Sequence, residues 1–139
     1  MESILMLNAT APPHTYTVVC LEDDYDLARL IEITLRFAST VVYVAHDGIH
    51  GLQLIRQHHP DLILLDLGLP GLNGLEVYAA IQNDPDLRDI PVFILTAIPS
   101  ENYHDTHQAL IDQAKAYIVK PFSVHALRDM LQSFLQHSA

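Results

Sequence analysis

From Thr15 onward, short runs of continuous apolar residues alternate with segments whose apolar residues recur at helical spacing. The runs are Tyr16 to Leu21 (YTVVCL), Val41 to Ala45 (VVYVA), Leu62 to Leu65 (LILL), Val92 to Leu95 (VFIL) and Ala116 to Val119 (AYIV). Each is short and rich in β-branched, leucine or aromatic side chains, which predicts strands rather than helices. Between them, Asp24 can cap a helix that carries Leu27, Leu30, Ile31 and Leu35 on one face. Asp47-Gly48 opens a second helix, with Ile49, Leu52 and Ile55 in phase. Asn73 and Glu76 form an Asn-x-x-Glu capping box ahead of Val77, Ala80 and Ile81, and Asp84-Pro85 ends that helix. A less periodic segment, Ser100 to Asp112, predicts a fourth helix. Ser123 to His137 predicts the last, through Val124, Leu127, Leu131 and Phe134/Leu135.

Strands that are apolar on both faces and alternate with amphipathic helices imply a parallel sheet covered on both sides. Right-handed crossovers leave few topologies. The expected one is an α/β, doubly wound, five-stranded parallel sheet of order 2-1-3-4-5, the flavodoxin-like (βα)5 arrangement. Residues 1–14 read as a flexible amino-terminal arm, because Asn8 to Pro13 has little pattern and Pro-Pro resists helix and central strand alike. Residues 15–139 read as one domain.

Composition narrows the function classes. A chain of 139 residues is expected to bury roughly two-thirds of its unfolded surface, so it needs no disulfide or structural metal to fold. Seventeen acids against seven bases give a net charge of −10, which makes nucleic acid a poor direct partner and cations better ones. The single cysteine, Cys20, excludes an intramolecular disulfide and fits a reducing cytoplasm. No apolar run approaches the ~18 residues of a membrane span, and Met1-Glu2-Ser3 lacks the basic start of a secretory signal. Nine histidines invite a zinc reading. His46/His50 and His104/His107 have helical spacing, but no HExxH or CxxC accompanies them, so surface histidines are the expectation.

The chemistry is concentrated at the strand ends. The first strand ends in Glu22-Asp23-Asp24, the third in Asp66, the fourth in Thr96 and the fifth in Lys120-Pro121. The second, at the outer edge, ends in Ala45-His46 without a carboxylate. The carboxyl edge of an open parallel sheet is where ligands bind, at the switch point between the first and third strands. Three carboxylates gathered there repel one another unless a cation intervenes. Hard oxygen ligands suit Mg²⁺, which takes one or two carboxylates and keeps several waters. Lys120 supplies positive charge for a phosphoryl group, Thr96 a hydroxyl, and an aspartate can serve as a covalent nucleophile. The set reads as phosphoryl transfer onto Asp66.

The stretches VVCLEDDYDLARL, PDLILLDLGLPGLNGLEV, IPVFILTA and AKAYIVKPF, in that order and spacing, resemble the receiver domain of two-component response regulators. The resemblance covers Tyr16 to Gln136. It implies that Asp66 is the phosphoacceptor, that Asp23 ligates Mg²⁺ directly and Glu22 through water, and that the backbone carbonyl of Gly68 is a further ligand. It implies that Thr96 and Lys120 contact the phosphoryl oxygens, that Thr96 and Tyr117 form a switch, and that the Lys120-Pro121 bond is cis. It also implies a cytoplasmic signalling domain rather than a substrate-turning enzyme. A sensor histidine kinase or phosphotransfer protein would be the donor, and an unnamed downstream protein the target. A homodimer is left open, and no membrane or nucleic-acid contact is expected.

Some positions depart from the family. Glu22 stands where aspartate is commoner, and Gly68 where a larger side chain helps set phosphoryl lifetime. Gln113 stands where glycine is frequent before the fifth strand. If that position needs left-handed backbone, glutamine strains it by about 1 kcal/mol. The interval from Thr96 to Lys120 is also long for the family. Three competing readings fit less well. A phosphorylation-independent receiver-like binding module would usually lack one of Asp66, Thr96, Lys120 and the acidic pair. An aspartate-nucleophile phosphohydrolase needs a second acid two residues after the nucleophile, where this chain has Gly68. A flavin-binding relative needs a phosphate-cradling loop after the first strand, where the acids sit instead.

Overall fold

A computed structural model describes residues 15–36, 39–97, 108–109 and 111–138. Its elements run β1 (Tyr16–Leu21), α1 (Tyr25–Thr34), β2 (Thr40–Ala45), α2 (Gly48–His58), β3 (Leu62–Asp66), α3 (Gly74–Asn83), β4 (Val92–Thr96), β5 (Ala116–Val119) and α4 (Val124–Ser138). The strands form one parallel sheet of order β2-β1-β3-β4-β5, as the alternation of periods predicts. The arm expected over 1–14, and most of the helix expected over 100–112, lie outside the described residues.

The sheet is buried on both sides because its side chains alternate with period two. Val18, Cys20, Leu62, Leu64, Phe93 and Leu95 point to one face, where Ile31 and Leu35 of the α1 side and Leu127, Leu131 and Leu135 of α4 cover them. Val19, Leu21, Ile63, Leu65, Val92 and Ile94 point to the other, against Leu52, Ile55, Val77, Tyr78 and Ile81 of α2 and α3. Most of these side chains are fully buried. Each contributes about 1.5–3 kcal/mol relative to exposure, so the strand ends are carried on a rigid, dry platform.

The helix starts are set by the predicted caps. Asp24 accepts from the N–H groups of Asp26 and Leu27 at 3.0 and 3.1 Å. Asp47 accepts from His50 N–H at 2.8 Å. Asn73 and Glu76 close a reciprocal capping box at 3.0 and 3.1 Å. Gly74 has a specific reason to lack a side chain. A Cβ there would collide with the backbone of Leu67 and with the Asp66 carbonyl, so glycine lets α3 press directly on the end of β3. Gly71 shapes the loop between them, with φ at +69°.

Gln113 does not adopt the left-handed backbone that glycine would favour. Among the described residues, the non-glycine positive φ values fall at Ser39 and His59. The chain instead enters β5 by a tight turn, in which Ala114 N–H donates to the Ile111 carbonyl at 3.0 Å and Lys115 N–H to the Val92 carbonyl at 2.9 Å. One hydrogen bond back to Ile111 and one to the neighbouring strand end thus take the place of the conformational freedom of a glycine.

Candidate functional site

The register brings the polar strand ends together. Leu21 pairs with Leu65, so the next step sets Glu22 beside Asp66. Asp66 pairs with Leu95, one residue short of Thr96. Thr96 pairs with Val119, one residue short of Lys120, and the Lys120 N–H donates to the Thr96 carbonyl at 2.7 Å. Lys120-Pro121 is cis.

The side chains converge accordingly. Carboxylate oxygens of Glu22, Asp23 and Asp66 lie within 4.8 Å of one another. Glu22, Asp66 and Thr96 are buried, at 0%, 5% and 1% exposure, while Asp23 faces solvent. Lys120 Nζ sits 2.7 Å from Glu22 Oε1 and 3.1 Å from Asp66 Oδ2. The Gly68 N–H donates to Asp66 Oδ1 at 2.9 Å, which holds the carboxylate by the oxygen that does not face Lys120. A Cβ at Gly68 would make only ordinary contact with Asp66 Oδ1, at 3.6 Å, so the space beside the carboxylate is open.

Electrostatically the cluster is short of positive charge. Three carboxylates face one ammonium. Burial pushes the Glu22 carboxyl up to about 7, against the downward pull of Lys120 and of the Asp24 N–H, which donates to Oε2 at 3.1 Å. Burial by itself would lower the Lys120 ammonium, but its pairing with Glu22 and Asp66 prevails and raises it. Glu22 Oε1 is buried, with the Lys120 ammonium 2.7 Å away as its ion-pair partner. A hard cation fits this donor set of three gathered carboxylates, since it would relieve their repulsion.

A cavity of about 480 Å³ opens beside the cluster, lined by Asp24, Leu27, Ala97, Lys120, Pro121 and Phe122. Tyr117 lies farther down β5, half-buried and paired in register with Ile94. The pleat puts Ile94, Thr96 and Tyr117 on the same face of the sheet, and Tyr117 packs on the core of that face. Cys20 is fully buried, and burial drives its thiol well above the usual range, which leaves it inert.

One contributor escapes sequence reasoning. His46, expected to be a plain surface histidine, is half-buried. Its Nδ1 lies 3.0 Å from the Glu22 carbonyl oxygen, and its ring stacks on Tyr25 with centroids 3.7 Å apart. The signal available was positional only: His46 comes directly after β2, the strand beside β1. Among the described residues, no helix is long and apolar enough to cross a membrane.

A family model described as "Response regulator receiver domain" matches residues 18–132. The polar-differentiation response regulator DivK of Brucella ovis is 34% identical over 121 residues, covering 87% of this chain and 97% of its own length. The solved structure of the phosphorylated cyanobacterial phytochrome response regulator RcpA is 30% identical, with a TM-score of 0.70, over 86% of this chain and 91% of that one. The Mn²⁺-bound form of response regulator Rcp1 is 29% identical, with a TM-score of 0.68 and the same coverage of both chains.

Proposed function

The chain belongs to the response regulator receiver domain family, and from that premise we propose that Asp66 accepts a phosphoryl group, with Mg²⁺, from a phosphohistidine of a sensor histidine kinase or phosphotransfer protein. The family works in phosphorelay signalling. The single observation that carries the finer reading is the convergence of Asp66 with Lys120, Glu22 and Asp23 at the carboxyl edge of the sheet. Two relatives add support: RcpA has been solved phosphorylated and Rcp1 with Mn²⁺ bound.

In the proposed reaction an Asp66 carboxylate oxygen attacks the donor phosphorus. A P–O bond forms to Asp66, the donor's P–N bond breaks, and its electron pair stays on the imidazole nitrogen, which takes up a proton from solvent. The Gly68 N–H holds Oδ1, which leaves the other oxygen, 3.1 Å from Lys120 Nζ, to attack. Lys120 offsets charge on the transferring group, and Thr96 donates from its hydroxyl. The cavity beside Lys120 gives a donor side chain a way in. Asp23, Glu22, Asp66 and the Gly68 carbonyl would hold Mg²⁺, Glu22 through water. When bound, the ion supplies charge neutralisation for the phosphoryl oxygens. The open space at Gly68 leaves the acyl phosphate accessible to water. The domain spans residues 15–139, acts in the cytoplasm and signals through protein contacts.

The test of this reading is metal dependence. A small phosphodonor should modify the protein in Mg²⁺ and not in excess chelator. Asp23→Asn should weaken Mg²⁺ at least about tenfold, because a full unit charge leaves the ion's vicinity. An Asp23→Asn protein that titrates with Mg²⁺ like the parent would exclude the metal assignment.

The same reading predicts a switch. An acyl phosphate adds nearly two negative charges and three acceptor oxygens where Thr96 ends β4. Thr96 moves toward them, and Tyr117, on the same face, turns into the space released. Phosphorylation then selects one of two states of the β4–β5 region. With beryllofluoride and Mg²⁺, amide shifts should concentrate at Asp66 to Gly74 and from Thr96 through Phe122. Shifts confined to the neighbours of Asp66, with Tyr117 unmoved, would make the domain a phosphate sink instead.

A further inference from the structure

We propose that His46 is a positioning residue for the acidic pair, a role that rests on the reading of Glu22 and Asp23 as the Mg²⁺-holding residues. Glu22, Asp23, Asp24 and Asp26 fall within five residues. In the absence of a cation their mutual repulsion pushes the β1–α1 loop open. Three contacts with the end of β2 and the residue after it oppose that. The Glu22 N–H donates to the Ala45 carbonyl at 3.0 Å, extending the β1–β2 ladder by one rung. His46 Nδ1, one residue later, donates to the Glu22 carbonyl at 3.0 Å. The His46 ring then stacks on Tyr25, the first residue of α1, with planes 15° apart.

The loop is therefore fastened at both ends by one side chain. A carbonyl oxygen only accepts, so Nδ1 carries the proton and the tautomer is fixed at that nitrogen. The Glu22 carbonyl belongs to the planar peptide that leads into Asp23. Fixing that plane fixes the position of the Asp23 Cα, the point from which its side chain leaves the backbone. His46 thus sets the placement of both carboxylates without touching either, and it does so before any ion arrives. The device is separable into parts: a donor for the Glu22 carbonyl, and a ring for Tyr25.

The experiment uses that separation. His46→Phe keeps a ring and removes the donor, His46→Asn keeps a donor and removes the ring, and Tyr25→Ala removes the stack at a residue that is 69% exposed and so outside the core. Mg²⁺ is titrated by amide shifts, with urea unfolding of the metal-free proteins alongside. His46→Phe should weaken Mg²⁺ by about tenfold, the lower end of what supporting residues contribute to metal affinity. His46→Asn should recover part of that loss, and Tyr25→Ala should weaken binding by less than His46→Phe. The urea unfolding midpoint of each metal-free variant should stay close to that of the parent. In saturating Mg²⁺ the phosphorylation rate of each should return to that of the parent. A His46→Phe protein that binds Mg²⁺ like the parent, while Asp23→Asn does not, overturns the positioning role alone. If Asp23→Asn also binds like the parent, the Mg²⁺ reading of the pair fails. Weakened binding that His46→Asn does not rescue at all, or that tracks lost stability, also overturns the proposal.

Discussion

Asp66→Asn should abolish phosphoryl incorporation while leaving the fold intact and its stability equal to or above that of the parent. The two halves of this result have different causes. An amide oxygen is a poor nucleophile toward phosphorus and cannot form an acyl phosphate, so incorporation falls from complete to none. The amide keeps the shape of the carboxylate, and its oxygen can still accept from the Gly68 N–H, which in the parent holds Oδ1 at 2.9 Å. It also removes one of three crowded negative charges. Lys120 keeps its partner in Glu22 Oε1, 2.7 Å away. Removing a charge from a site with excess negative charge relieves repulsion, which is why stability does not fall. Intact mass with a small phosphodonor reads the first half, and urea unfolding in chelator reads the second. A marked loss of stability would mean that Asp66 serves the fold rather than the chemistry.

Lys120→Met should have the opposite signature, with activity and stability falling together. Methionine roughly preserves the chain length and removes the ammonium. Glu22 and Asp66 are then buried without a counter-charge. Breaking a buried pair from one side costs about 3–5 kcal/mol, and the partial exposure of Lys120 reduces this to about 2–3 kcal/mol near pH 8. The rate of phosphorylation should drop about 100-fold, as for loss of one preorganised charge at a reacting centre. The stability deficit should depend on pH. In the parent, burial already holds the Glu22 carboxyl at about 7, above its unfolded value. Loss of Lys120 removes a downward pull and raises it further. A group with a raised folded pKa contributes stability that is fully present below the unfolded pKa and is lost as pH rises through the folded one. The deficit of Lys120→Met should therefore be largest above about pH 8 and shrink toward about pH 6, as Glu22 takes up a proton. Mg²⁺ should reduce it at the higher pH by replacing the lost charge. A deficit that is equal at both pH values would mean that Lys120 contributes packing rather than charge.

Much of this site was legible in the sequence because its signals were local. A continuous apolar run followed by Asp66, Thr96 or Lys120 states both the strand and the residue at its carboxyl end. The alternation of periods then forces a parallel sheet, and a parallel sheet puts all those ends on one edge. Asn73 and Glu76 spell a capping box in nearby letters, and the structure closes it. What the sequence does not carry is contact across elements. The stack of His46 on Tyr25 joins residues that are far apart in the chain, and its existence depends on β2 lying directly beside β1. Pro60 marks the end of α2, but not that His59 takes φ of +43° to make the turn, because histidine, though enriched in left-handed backbone, adopts it too rarely for the letter alone to signal it. Gln113 shows the converse error. The absence of an expected glycine suggested strain, but hydrogen bonds from Ala114 and Lys115 carry the chain round without it.

The most direct test of the central claim is to locate the modified atom. The unaltered chain is treated with a small phosphodonor in Mg²⁺, the acyl phosphate is reduced with borohydride, and the peptides are sequenced by mass spectrometry. The account predicts a single reduced residue, at Asp66, present only when Mg²⁺ was present and lost if the protein is exposed to base before reduction. A label at Glu22, Asp23 or a histidine, or no label at all in Mg²⁺, would contradict it.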